Sequence, residues 1–124
     1  MVETLVMEEN IYVPKGWGYE HWIVNKKEYC GKILFFKKGK RCSWHYHKLK
    51  DETFYIQSGR LELTYGWNDR KTSNFITKGV LQDGHSFHVP VGMRHQMKGL
   101  TDVVMFEFST QHFDEDSIRI LKGD

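Results

Sequence analysis

The rhythm of the apolar residues narrows most what this chain can fold into. β-Branched and aromatic side chains gather in runs of five to nine residues, each cut off by Gly, Asn, Asp or Lys-rich turns. A helix needs an apolar stripe sustained over ten or more positions, whereas short runs with frequent breakers read as the strands of an all-β sandwich or barrel. The expected strands are 17–25, 28–37, 42–47, 52–58, 60–67, 73–78, 86–90, 94–98 and 102–109, with turns at KKGK, HKLKD, SGR, WNDRKTS, LQDG, PVGM and KGLT. With 124 residues and no internal repeat or linker, the chain is expected to form one domain, 1–124. Only the tail, HFDEDSIRILKGD, lacks a strand pattern and is expected to be a short helix or an arm.

Composition excludes several classes. Hydrophobic residues are 40% and charged residues 27% of the chain, which speaks against disorder. No apolar run approaches the ~20 residues that span a bilayer, and no membrane association is expected. The start, MVETLVMEEN, places acidic residues where an export signal needs basic ones, so a cytoplasmic location is expected. A net charge of +2 with dispersed lysines argues against a nucleic-acid partner. Cys30 and Cys42 lack CxxC spacing and read as small buried thiols.

Chemistry concentrates at residues 39–59, GKRCSWHYHKLKDETFYIQSG. In a strand, successive side chains face opposite ways, so His45 and His47 project together while Trp44 and Tyr46 project to the other side. If Lys48–Asp51 form a hairpin loop, Glu52 returns opposite His47 with side chains ~5 Å apart. Two imidazoles and a carboxylate suit Zn, Mn, Fe, Co or Ni far better than Ca. A His beside a Glu is also an ordinary polar pair, and a fourth donor is what separates the two readings. Residues 84–99, GHSFHVPVGMRHQMKG, supply one: the Pro90-x-Gly92 turn starts a new strand on which His95 stands.

Together these two segments resemble the cupin superfamily. Its first motif, G-x5-H-x-H-x4-E-x6-G, is met by Gly39, His45, His47, Glu52 and Gly59; its second, G-x5-P-x-G-x2-H-x3-N, is met by Gly84, Pro90, Gly92 and His95, with Gly99 in place of the Asn. The resemblance implies a small jelly-roll β-barrel holding one divalent transition metal ion on His45, His47, Glu52 and His95. It also implies a homodimer, because many cupins pair through sheet faces, and Cys42, Trp44 and Tyr46 would leave the outer face of strand 42–47 in need of cover.

The flanks are similar to those of cupins that isomerise sugars. Trp17-Gly18 is similar to a Pro-Trp-Gly opening of mannose-6-phosphate isomerase-like cupins, with Lys15 and Gly16 intervening after Pro14; EFSTQH at 107–112 is similar to an E-x-S-T-x-H ending. The implied function is a metal-dependent isomerase of a sugar or sugar phosphate, working by proton transfer through an enediolate. Glu107 is the candidate base if it faces the cavity with Val103 and Met105; Val104, Phe106 and Phe108 are equally apolar, so alternation leaves both orientations open. Phe54 and Ile56 are expected to line the pocket. Arg94 and His88 are expected outside, and Lys37, Lys38, Lys40, Arg41, Lys48 and Lys50 in solvated turns. The same donor set also serves an Fe(II)-dependent dioxygenase, and a barrel of this kind can be a non-catalytic sugar binder.

Overall fold

Inward and outward positions alternate most cleanly along residues 30–36, 52–58 and 103–109, three neighbouring strands that set the interior of the molecule. In a computed structural model describing residues 4–124, the strands are β1 (Ile11–Lys15), β2 (Gly18–Asn25), β3 (Cys30–Phe36), β4 (Trp44–His47), β5 (Glu52–Ser58), β6 (Arg60–Gly66), β7 (Thr77–Gln82), β8 (Ser86–Val89), β9 (Arg94–Gly99), β10 (Val103–Ser109) and β11 (Ser117–Leu121). Met1–Glu3, part of the acidic start, lie outside the described residues.

A six-stranded sheet ordered β1-β2-β3-β10-β5-β8 faces a five-stranded sheet ordered β11-β4-β9-β6-β7, with every pairing antiparallel. The fold is the all-β jelly roll. Along β3, Cys30, Lys32, Leu34 and Phe36 are buried while the residues between them are half-buried. On β10, Val103, Met105 and Glu107 face inward. Phe36, Phe54, Ile56, Leu61 and Met105 fill the core between the sheets, each burial contributing roughly 1.5–3 kcal/mol of transfer free energy. The opposite end of the sandwich stays open and polar. No helix among the described residues is long and apolar enough to cross a membrane.

Several expected elements are placed differently. The segment from His47 to Glu52 is not a hairpin: β4 pairs with β9 and β11, whereas β5 pairs with β10 and β8, so the loop carries the chain from one sheet to the other. Glu52 therefore meets His47 across the interior. The strand expected at 73–78 begins only at Thr77, because residues 67–76 form a loop that covers the outer face of β4. There the Trp44 indole N–H donates to Asp69 O at 2.9 Å, and Trp44 is fully buried. The same chain thus supplies the cover assigned to a second subunit. Cys42 lies just before β4, off the strand alternation, and turns into the core instead of outward with Trp44. The tail holds a single 3-10 turn at Asp114–Asp116 followed by β11, an edge strand on β4. β1, unassigned from sequence, is an edge strand of the six-stranded sheet.

Two glycines are required by geometry. Gly59 joins β5 to β6 with φ +101°, and a Cβ there would sit 2.2 Å from Asp102 O. Gly92, at φ +87°, closes the Pro90 turn and donates its N–H to His47 O at 2.9 Å, tying the second motif to the first.

Candidate metal centre

Three backbone carbonyls orient the histidines. His45 Nδ1–H donates to Ser43 O at 2.8 Å, His47 Nδ1–H to Asp116 O at 3.3 Å and His95 Nδ1–H to Met93 O at 3.0 Å. A carbonyl accepts only, so each Nδ1 carries the proton and each Nε2 keeps a free lone pair. The three rings converge, with donor atoms within 4.8 Å of one another. β4 and β9 bring them together, since His45 and His95 are register partners.

Glu52 closes the group from the facing sheet. Its Oε2 lies 3.6 Å from His47 Nε2 and 3.5 Å from His95 Nε2. Glu52 Oε2 and His95 Nε2 are buried without a hydrogen-bond partner. Orphaned polar atoms in the interior cost roughly 1–3 kcal/mol each, and a shared cation removes both penalties at once. Three neutral imidazoles and a carboxylate suit a divalent transition ion.

Burial keeps the imidazoles neutral. It pushes His45 well below the usual histidine range; it takes His47, with help from Lys50, down to about 2, and His95 down to about 3 against the bond to Met93. Burial, then the charge of Glu107, raises Glu52. A divalent ion would reverse that shift, because a nearby cation favours the carboxylate.

The residues around this cluster were partly invisible in the sequence. Lys50, expected in a solvated turn, is only 3% exposed. Its Nζ donates to Glu52 Oε1 at 3.0 Å, Glu107 Oε2 at 3.2 Å and His112 Nδ1 at 3.1 Å. Burial opposes its charge, but Glu107 and then Glu52 outweigh that and raise it. Glu107 faces inward, which resolves its two possible orientations. Burial pushes it up, yet Lys50, Lys32 and a hydrogen bond from Ser109 Oγ at 2.9 Å together lower it, so it is ionised. Lys32 reaches Glu20 Oε1 at 3.4 Å and lies 3.9 Å from Glu107 Oε2, with its ammonium over the Trp22 ring. The inward place of Lys32 was readable from the alternation in CGKILFF; nothing in KLKD marked Lys50.

The polar end of the barrel opens as a cavity of about 580 Å³ that contains the histidines, Glu52, Glu107, Trp17 and Phe54. Trp17 stacks on Phe36 with centroids 4.1 Å apart. Ile56 belongs to the packed core instead. Arg94 points outward over the Tyr46 ring, and exposed His88 pairs with Asp51 at 2.9 Å, as their strand positions require. Burial pushes the Cys42 thiol up to about 12, so it is no nucleophile.

The family model described as Cupin domain matches residues 32–109. This chain is a cupin. Among solved structures, CapF from Staphylococcus aureus, a capsular polysaccharide assembling protein, superposes with a TM-score of 0.75 at 18% identity, over 91% of this chain and 34% of CapF. KdgF from Halomonas sp. gives 0.65 at 17% identity, over 78% of this chain and 81% of KdgF. A Bacillus subtilis oxalate decarboxylase gives 0.75 at 14% identity, over 90% of this chain and 30% of the enzyme. The cupin spans about a third of CapF and of the decarboxylase, and likeness at these identities shows the shared fold alone. No curated protein matches this cupin by sequence.

Proposed function

We propose that the chain is a metal-dependent isomerase of a sugar or sugar phosphate, with His45, His47, Glu52 and His95 holding one divalent transition ion. The observation that carries this reading is Glu107, buried in the same cavity as the donor set but outside it, with the Lys50 ammonium reaching both Glu107 and Glu52. When bound, the ion supplies Lewis-acid polarisation of a carbonyl and its neighbouring hydroxyl.

The chain's own groups then divide the work. Glu107 takes a proton from the carbon next to the carbonyl and returns it to the former carbonyl carbon, while the neighbouring hydroxyl passes its proton to the former carbonyl oxygen. Its basicity is held down by Lys50 and Lys32, so these ammonium groups must shift part of their charge to the developing enediolate oxygens as the carboxylate takes up the proton. Trp17 and Phe54 give the cavity an apolar wall that restricts water. A homodimer is part of the proposal, through the outer face of the six-stranded sheet. There Tyr19 stacks on Phe35 and Tyr55 on Phe106, beside Phe108, which is 57% exposed.

The test is incubation in D2O with a panel of aldoses, ketoses and their phosphates, followed by NMR. Deuterium entering next to the carbonyl, abolished by a chelator and by Glu107→Gln, is the expected result. Oxygen uptake on adding Fe(II) without such exchange would assign a dioxygenase instead, and saturable binding without turnover a binding protein.

A further inference from the structure

The cavity is lined by five cationic side chains, Lys15, Lys32, Lys50, Arg119 and Lys122. Three are already matched to carboxylates: Lys15 to Glu20 at 3.8 Å, Lys32 to Glu20 at 3.4 Å, and Lys50 to Glu52 at 3.0 Å. Arg119 and Lys122 have no carboxylate partner within ion-pair distance among the described residues. The remaining acidic groups on the wall are engaged elsewhere. Asp114 Oδ1 lies 2.9 Å from His112 Nε2, and Asp124 Oδ2 accepts the Arg41 N–H at 2.8 Å.

The fold places these two cations deliberately. Arg119 is the register partner of His45, so it shares the inward face of the strand that carries the histidines. The register slips between Arg119 and Leu121, setting Leu121 opposite Trp44. In an unbroken strand Leu121 would share Arg119's face and Lys122 would point away; the bulge exchanges them and turns Lys122 into the cavity. Asp124 then pins the segment, its N–H donating to Arg41 O at 3.0 Å. Gly123 packs so tightly that a Cβ would lie 2.4 Å from the Cys42 carbonyl carbon. His47 and His95 are buried whereas Arg119 and Lys122 are exposed, which puts the cations at the mouth and the donor set at the floor.

We propose that Arg119 and Lys122 form a subsite for the phosphate of a phosphorylated sugar whose other end reaches the histidines. This rests on the sugar reading above and selects the phosphate ester within it. Two unmatched cations balance the nearly double charge of a phosphomonoester, whereas a carboxylate needs one. An Arg fork beside a Lys point charge is a common phosphate pair.

The test uses probes that cannot isomerise, so it is independent of turnover. Sorbitol, sorbitol phosphate and gluconate are titrated by calorimetry into the protein as purified and into R119Q/K122Q, with K122Q alone as a second variant and circular dichroism as the check on folding. Sorbitol phosphate is expected to bind at least about tenfold more tightly than sorbitol. That gain should fall in K122Q and vanish in the double variant, with sorbitol affinity unchanged. Equal binding of sorbitol and its phosphate, retention of the gain in R119Q/K122Q, or gluconate binding as tightly as sorbitol phosphate would each overturn the assignment. A protein that discriminates the phosphate yet shows no exchange in D2O would keep this subsite and lose the isomerase.

Discussion

Lys50 is the side chain on which the buried charges depend, because its ammonium stands between Glu52 and Glu107. Without it Glu107 would keep only Lys32, at 3.9 Å, and Glu52 would have no cation beside it, and breaking such a buried arrangement costs about 3–5 kcal/mol. Lys50→Met is expected to lower stability by that order in urea unfolding. Adding Glu107→Gln should return much of it, since one carboxylate then no longer needs a counter-charge. An unchanged unfolding midpoint in Lys50→Met would refute this. The residue scale also shows where sequence reading stops. The convergence of His45, His47 and His95 was legible from motif spacing and strand alternation, whereas Glu52 reaches them across the sandwich and not by the expected hairpin. Lys50 lies in a segment with no regular period, and its direction follows from the crossover between sheets, which no local pattern encodes.

At the scale of elements, the C-terminal arm does more than cover an edge. The Asp116 carboxylate accepts the N–H groups of Lys48 and Leu49 at 2.9 Å each and of Lys50 at 3.0 Å, so it organises the crossover that aims Glu52 at the histidines. Asp116→Ala would leave three backbone donors without their acceptor and is expected to destabilise the fold by about 1–3 kcal/mol in urea unfolding. Asp116→Asn, which keeps one acceptor oxygen, should fall between. Equal stability of Asp116→Ala and the parent would contradict the role. Strands with clean alternation, such as β3, β5 and β10, were read almost to the residue. β11 was not, because SIRIL is only five residues long, follows an acidic turn and carries a bulge, so its alternation is broken where it would be recognised. The supposed hairpin failed for a similar reason: loop length fits a hairpin equally well when the chain changes sheets.

The whole molecule carries three buried neutral imidazoles, which makes its stability sensitive to acid. In the unfolded chain histidine protonates near pH 6.5, whereas burial lowers all three in the fold, His47 to about 2 and His95 to about 3. Between those limits the unfolded state binds more protons, so stability falls as the pH drops. Glu52, raised in the fold, opposes this with one proton above about pH 4.3. From these four groups the net loss for chelator-treated protein is about two protons' worth, up to ~2.7 kcal/mol per pH unit below pH 6.5, and His112, also lowered by burial, adds to it. Tm should drop steeply from pH 6.5 to 5; a flat profile would contradict the neutral imidazoles. The outer aromatic face predicts light scattering at twice the chain mass, shifted to the single-chain mass by Phe108→Glu, and a single-chain mass for the parent would remove the dimer. The central claim is that one transition ion sits on the four converging donors. X-ray absorption at the metal edge of the purified protein tests it most directly. One ion per chain is expected, with scattering from three imidazoles, lost in His47→Ala and kept in Lys38→Ala. A protein that holds no transition ion, or one whose coordination lacks imidazole, would contradict it.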